Sequence, residues 1–206
     1  MVLAKIDGEK DSLLKAQHRV SAFPTLVMLD TNGAEVDRIV GYHEPDEFLT
    51  TLRNYRKGIG TLADLLNKAE TNPDRLLAFE IADKYKYRGG SKDATVWYQK
   101  VIDTGDPTDS LSGESRMALA DMYRRAKAYE SALNAFSGIM KDFEGKFFAR
   151  DAELWIAIVY KQKGDTLTAI KSYEDFIKHY PESEDVEWAQ KQIKKLKGEP
   201  EEEKKE

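Results

Sequence analysis

The sequence predicts a short α+β segment followed by an all-α array of helical hairpins. Three observations predict it. Asn32-Gly33 stands between two short apolar runs, "TLVMLD" and "EVDRIV", the strongest short-range signal for a β-hairpin. From about residue 60 to 197, apolar residues recur at helical spacing almost throughout. Within that stretch a set of linked positions occurs three times at a nearly constant interval, the mark of a repeat architecture.

The first segment is assigned to residues 1–58. "VLAKID" at 2–7 alternates and predicts a strand. "EKDSLLKAQHRV" predicts a short amphipathic helix with Leu13, Leu14 and Val20 inward. The hairpin follows, closed by "TNGA" and ended by Gly41-Tyr42. "EPDEFLTTLRNYRK" predicts a helix with Pro45 in its first turn and Phe48, Leu49 and Leu52 on one face. The expected order is β-α-β-β-α.

The array is assigned to 59–197. "TLADLLNKAE" at 61–70 predicts a helix leading into it. "IADKY", "LADMY" and "IAIVY" then place tyrosines at 85, 123 and 160, that is 38 and 37 residues apart. Nine residues after each tyrosine stands an alanine (Ala94, Ala132, Ala169), and thirteen after it an aromatic (Tyr98, Phe136, Tyr173). Four after it come Gly89, Lys127 and Gly164. The spacing describes two helices meeting face to face. Ile81, Ala82 and Tyr85 form one buried face, and the small alanine lets the second helix approach closely. The glycine supplies a left-handed cap, and Ser91 and Asp165 are expected to cap the second helices. "SEDVEWAQKQIKKLKG" predicts a closing helix with Val186, Ala189, Gln190 and Ile193 inward and Trp188 beside them; a repeat array needs such a cover on its end face. The charged stretch "GEPEEEKKE" at 198–206 is expected to be a frayed, solvated tail.

The repeated positions resemble the tetratricopeptide repeat, over about 74–181. The third copy matches best and ends in "HYPES", with Pro181 at the family's terminal proline. The first two copies lack a proline in register, and their three or four extra residues fall near "TGDPTD" and "DFEGKFF". The resemblance implies a groove lined by the first helix of each hairpin. Its positions here are Leu76, Phe79, Asp83, Lys86 and Tyr87; then Glu114, Met117, Asp121, Arg124 and Arg125; then Asp151, Leu154, Ile158, Lys161 and Gln162. One column is basic (Lys86, Arg124, Lys161) and one apolar (Phe79, Met117, Leu154), which suits an extended or helical peptide of some acidic character. The alternative is a solvated charged face above ordinary core. The family's clamp for C-terminal carboxylates needs Lys and Asn where Phe79 and Asp83 stand, so that mode is unsupported.

Residues 1–58 resemble the C-terminal half of a thioredoxin-like domain, on "KID", "V-x-x-F-P-T-L-V-M-L-D", "NG", "RIVGY" and the closing helix. By that resemblance Pro24 is the family's cis-proline, and Phe23, Pro24 and Thr25 form its peptide-binding edge. Read without the resemblance, Pro24 is a trans proline opening a strand. The family's first β-α-β, with its Cys-x-x-Cys, has no counterpart in the sequence. Three explanations present themselves: a fragment of a longer protein, a strand donated by a partner, or a half-domain closing on itself as a cap. The fragment is the favoured expectation.

Composition excludes several function classes. The 206 residues contain no cysteine, so disulfides, thiol catalysis and thiolate metal sites are impossible within them. The formal net charge of −5 argues against a general nucleic-acid binder. No apolar run reaches membrane-spanning length. His18, His43 and His179 lack ligand-spaced partners, and "GGSKDAT" at 89–95 lacks the glycine–lysine spacing of a phosphate loop. No catalytic residue, metal site or cofactor is expected. The expected function is a protein-interaction module with a protein or peptide partner and possible self-association through an open sheet edge. The alternative is a piece of a thiol–disulfide oxidoreductase whose Cys-x-x-Cys half lies upstream of Met1. The compartment stays open between cytoplasm and, given an upstream export signal, a bacterial periplasm.

Overall fold

The computed structural model describes residues 4–8 and 10–199. The chain divides into two compact units, the first ending at Thr104 and the second starting at Gly105.

The first unit opens on an irregular segment. The strand expected at 2–7 is not formed over residues 4–7, while residues 2 and 3 lie outside the described residues. An alternating run becomes a strand only where another strand offers it hydrogen bonds, and none pairs with it here among the described residues. Helix α1 is Ser12–Gln17, capped by the Asp11 side chain on the Leu14 N–H. Leu14 and Val20 are half-buried, but Leu13 is 80% exposed, against expectation. The helix is too short to wrap a two-leucine stripe onto one face.

Strands β1 (Thr25–Leu29) and β2 (Glu35–Val40) form a two-stranded antiparallel sheet, with Thr25 opposite Val40 and Leu26 opposite Ile39. The register shifts between Met28 and Leu29, leaving Val36 as an extra residue on β2. The turn forms as its sequence dictates. Gly33 takes φ 81°, and the Asp30 carboxylate accepts the N–H groups of Asn32 and Ala34. The Phe23–Pro24 bond is cis. Helix α2 (Pro45–Tyr55) begins on its proline and buries no residue fully; Phe48 and Leu52 are half-buried and Leu49 is exposed.

Helix α3 (Leu62–Thr71) starts on a reciprocal cap. Thr61 Oγ1 accepts the Asp64 N–H, and the Asp64 carboxylate accepts the Gly60 N–H at 2.7 Å. Its Leu62, Leu65 and Ala69 pack on Ile81 and are flanked by Tyr85 and Trp97, so α3 lies on the first helical hairpin. That hairpin is α4 (Arg75–Tyr87) and α5 (Ser91–Asp103). Gly90, not Ser91, occupies the cap of α5, and no side chain caps it.

The second unit holds two further hairpins, α6 (Ser110–Arg125) with α7 (Tyr129–Asp142) and α8 (Phe147–Lys163) with α9 (Thr166–His179), closed by α10 (Val186–Lys197). The repeated positions behave alike in each unit. Ala94, Ala132 and Ala169 are fully buried, and so are Tyr98, Phe136 and Tyr173. Each such aromatic contributes roughly 1.5–3 kcal/mol by leaving water. Gly89 and Gly164 are left-handed, and Lys127 adopts the same conformation at φ 59°. Asp165 caps α9 through the Thr168 N–H, as expected. On α10, Ala189 is buried with Ile193 and Leu196 packed beside it, and Trp188 meets the Tyr173 ring edge-on. Gln190 is exposed and Gln192 is buried in its place, because 189, 192, 193 and 196 share one helical face. Residue 199 is irregular only in part of a tail whose remainder, 200–206, lies outside the described residues.

Candidate protein-interaction site

Two surfaces were expected to bind a partner: the edge at Phe23–Thr25 and the first helices of the hairpins. At the edge, Phe23 is 56% exposed and Lys15 Nζ lies 5.1 Å from its ring centre. Pro24 carbonyl oxygen accepts the Gly41 N–H at 2.9 Å, which fixes the start of β1 against the end of β2. Thr25 Oγ1 donates to the Ala22 carbonyl at 2.7 Å. The three residues therefore form one rigid corner with an aromatic ring facing solvent.

In the first unit Phe79, Asp83 and Lys86 converge on Tyr98. Phe79 meets the Tyr98 ring edge-on at 5.7 Å, and the Tyr98 hydroxyl donates to the Asp83 carboxylate. Lys86 Nζ donates to the same carboxylate and sits 4.6 Å from the Tyr87 ring centre. Burial, followed by the Asp83 charge, pushes the Tyr98 hydroxyl far above its ordinary range. Tyr98 is thus a permanent donor to the Asp83 carboxylate.

In the second unit α6 and α8 lie side by side. Arg124 bridges them: its guanidinium is paired with Asp121 at 2.6 Å, donates to Gln162 Oε1 at 2.9 Å and lies 4.9 Å from the Trp155 ring centre. Met117 packs on the core between α6 and α7. Leu154 and Ile158 are half-buried against the α9–α10 core. Lys161 Nζ donates to Gln192 Oε1 at 2.7 Å, which gives the buried glutamine its partner. The face shared by α6, α8 and α10 thus carries Leu154 and Ile158 with Arg124 and Lys161 beside them.

A family model described as a thioredoxin-like domain matches residues 4–56. A tetratricopeptide repeat model matches 151–183, which takes in α8 from Asp151 onward, α9 and the turn after them. The chain carries both modules. No curated protein matches it.

The largest feature that the sequence reading missed is a buried ionic cluster joining the thioredoxin-like hairpin to the helices of the same unit. Asp37 on β2 is fully buried. Its carboxylate accepts the Leu62 N–H at 2.6 Å, Lys84 Nζ at 3.0 Å and the Arg38 N–H at 2.7 Å, and Arg88 Nη2 stands 3.1 Å away. The Leu62 N–H is one of the first-turn donors that α3 cannot satisfy itself, so a carboxylate there also meets the positive end of the helix. Arg38, equally enclosed, donates to the carbonyls of His18 at 2.9 Å and Tyr87 at 2.7 Å and to both oxygens of Glu35. Tyr87 ends α4, so Arg38 supplies a cation to the negative end of that helix. Arg88 donates in turn to the Val36 carbonyl. The sequence held one signal: alternation along "EVDRIV" puts Asp37 on the face of the buried Ile39.

No cluster of histidine, aspartate and glutamate suited to a metal ion occurs among the described residues, and no helix among them is long and apolar enough to cross a membrane. His179 Nδ1 lies 2.8 Å from the buried Glu153 carboxylate, which gives that acid a local partner at the end of α9.

Proposed function

We propose that the protein is a non-enzymatic interaction module whose tetratricopeptide hairpins bind a protein segment of acidic, amphipathic character. The observation that carries the reading is the α6–α8–α10 face, where Leu154 and Ile158 offer apolar anchors beside Lys161, a cation tied to the neutral Gln192, with Arg124 shared between the Asp121 carboxylate and Gln162 as a secondary cation. A cation held by a neutral amide keeps most of its charge for an incoming carboxylate. The equivalent positions in the first unit, Phe79, Asp83 and Lys86, present a ring and a lysine already paired with its own carboxylate, and are assigned a weaker share of binding. The Phe23–Pro24–Thr25 corner is a second, aromatic contact point. With no thiol in the chain, the thioredoxin-like part serves here as a binding and structural element.

The test is fluorescence anisotropy with labelled amphipathic peptides, one acidic series and one basic series of the same apolar pattern. The acidic series is expected to bind, more weakly at high salt, and Lys161→Glu with Arg124→Glu is expected to abolish it with helix content unchanged. Equal binding of both series, or of the charge-reversed variant, would overturn the reading.

A further inference from the structure

One column of the helical hairpins carries a carboxylate in two copies and lacks it in the third. In the first hairpin the Asp83 carboxylate gathers two donors on one oxygen, the Tyr98 hydroxyl from α5 and Lys86 Nζ, the latter at 2.5 Å. In the second, Asp121 stands at the same place and pairs with Arg124 at 2.6 Å. Counted from Tyr85 and Tyr160, the third-hairpin counterparts of Asp83, Lys86 and Tyr98 are Ile158, Lys161 and Tyr173. Both donors are kept, and the acceptor is replaced by an aliphatic side chain. The buried Tyr173 hydroxyl accordingly has no hydrogen-bond partner among the described residues. Lys161 turns instead to the neutral Oε1 of Gln192 on α10. Burying an unmet donor is unfavourable. The fold does not demand this hydroxyl, because Phe136 fills the same buried position in the second hairpin without one. Burial also pushes the Tyr173 hydroxyl up to about 12, which keeps its proton in place near neutral pH. Ile158 packs on the Tyr173 cluster and is half-buried, with Leu154 one turn before it.

We propose that Tyr173 and Lys161 form a subsite for one side-chain carboxylate of the bound segment, which takes the place that Asp83 fills in the first hairpin. The inference rests on the reading of the α6–α8–α10 face as a groove for an acidic, amphipathic segment, and it assigns the point at which one acidic residue is fixed. The carboxylate enters past Ile158 and accepts from the Tyr173 hydroxyl and from Lys161 Nζ, while an apolar neighbour in the segment rests on Leu154. Lys161 carries three donors, so it keeps Gln192 and meets the carboxylate as well. The occupant is an acid because both groups at the site are donors and one is a cation, and hydrogen bonds to a charged acceptor are the stronger kind. It is a side-chain acid because a side-chain carboxylate already meets the same donor pair in the first hairpin. Tyr173 thus sets specificity. A groove that needed only apolar contact and diffuse charge would be served equally by phenylalanine there.

The experiment uses the full chain and labelled peptides of the acidic series, with amidated and with free C-termini, alongside versions in which each acidic residue in turn is replaced by its amide. One acidic position is expected to stand out, its replacement weakening binding about tenfold. Tyr173→Phe is expected to weaken the parent peptide by a similar factor of about ten, and to leave unchanged the affinity for the peptide already neutralised at that position. A general loss of packing would not give this coupling. In urea titrations of the free chain Tyr173→Phe is expected to raise the midpoint. In an Ile158→Asp background, which restores the carboxylate, the same replacement is expected to lower it. Failure of the acidic series to bind the native chain with either C-terminus overturns the underlying reading and the subsite with it. Binding that Tyr173→Phe leaves unchanged, or weakens equally for every peptide, overturns the subsite alone. A free chain destabilised by Tyr173→Phe already has its own acceptor, which overturns the choice of a bound segment as the source. Binding confined to peptides with a free C-terminal carboxylate overturns the choice of a side chain.

Discussion

Replacing Asp37 by alanine should uncouple the hairpin from the helices of its own unit. The carboxylate is fully buried and receives three hydrogen bonds from Leu62, Lys84 and Arg38, with Arg88 at 3.1 Å. Its loss leaves the Leu62 N–H at the start of α3 without an acceptor and Lys84, whose side chain is only 15% exposed, beside no opposite charge. Breaking a buried ion pair by removing one partner costs about 3–5 kcal/mol. With a urea slope of about 2 kcal/mol/M, the midpoint of the transition involving the first unit should fall by roughly 1.5–2.5 M. Hydrogen exchange gives a local readout, since the Leu62 amide should lose protection more than the amides of α7 or α9. A double replacement, Asp37→Leu with Lys84→Met, should cost less than Asp37→Leu alone, with a coupling of about 1 kcal/mol or more. A midpoint shift under about 0.5 M, or strict additivity in the cycle, would refute the claim that this cluster holds the hairpin in place.

Four further outcomes follow from single side chains. The buried Tyr173 hydroxyl has no hydrogen-bond partner among the described residues, and burial pushes it up to about 12. Tyr173→Phe should therefore raise stability by roughly 1 kcal/mol, whereas Tyr98→Phe, which leaves Asp83 with Lys86 alone of its two donors, should lower it by a similar amount in urea titrations. Lys127 holds the left-handed turn that Gly89 and Gly164 hold elsewhere, so Lys127→Gly should stabilise by about 1 kcal/mol. Lys68, then the Gly60 N–H, holds the Asp64 carboxyl below its ordinary 3.8. The folded state thus binds that proton less readily than the unfolded chain. The contribution is complete above pH 3.8 and fades as pH falls through the lowered value. Asp64→Ala should reduce the acid sensitivity of the urea midpoint below pH 4 without changing its slope against pH near neutrality.

The repeat array was legible because its constraint is local and periodic. An alanine at a helix crossing and an aromatic one turn later must recur wherever the same hairpin recurs, and all six of those side chains are fully buried. Lys127 shows why the glycine column was legible despite one exception: the turn geometry persists and the residue bears the strain. The closing helix was misread by two positions. The phase set by Ala189 and Ile193 leaves Gln190 and Gln192 equally far to either side, so periodicity could not choose between them; the choice is made by the neighbouring helix, whose Lys161 bonds to Gln192. Leu13 was misread because an adjacent leucine pair leaves the phase of a six-residue helix undetermined. Of the Asp37 cluster only the inward face of Asp37 was legible; its partners were not. The cluster joins residues 25, 47 and 51 positions apart in sequence, and nothing in the periodicity of "EVDRIV" says which distant helix ends need a carboxylate or a guanidinium.

The same cluster explains how a two-stranded sheet persists in this chain. An isolated hairpin is marginal in water, and α1 and α2 contribute no fully buried side chain to it. Asp37 and Arg38 compensate by attaching β2 to the start of α3 and the end of α4, the two helix termini whose partial charges match them. All of that attachment falls on β2, and β1 takes its register from its pairing with β2. The ordering of this module therefore comes from the helical side. Asp37→Ala should accordingly loosen β1 together with β2, so the amides of Leu26 and Ile39, which face each other across the hairpin, should lose hydrogen-exchange protection along with Leu62.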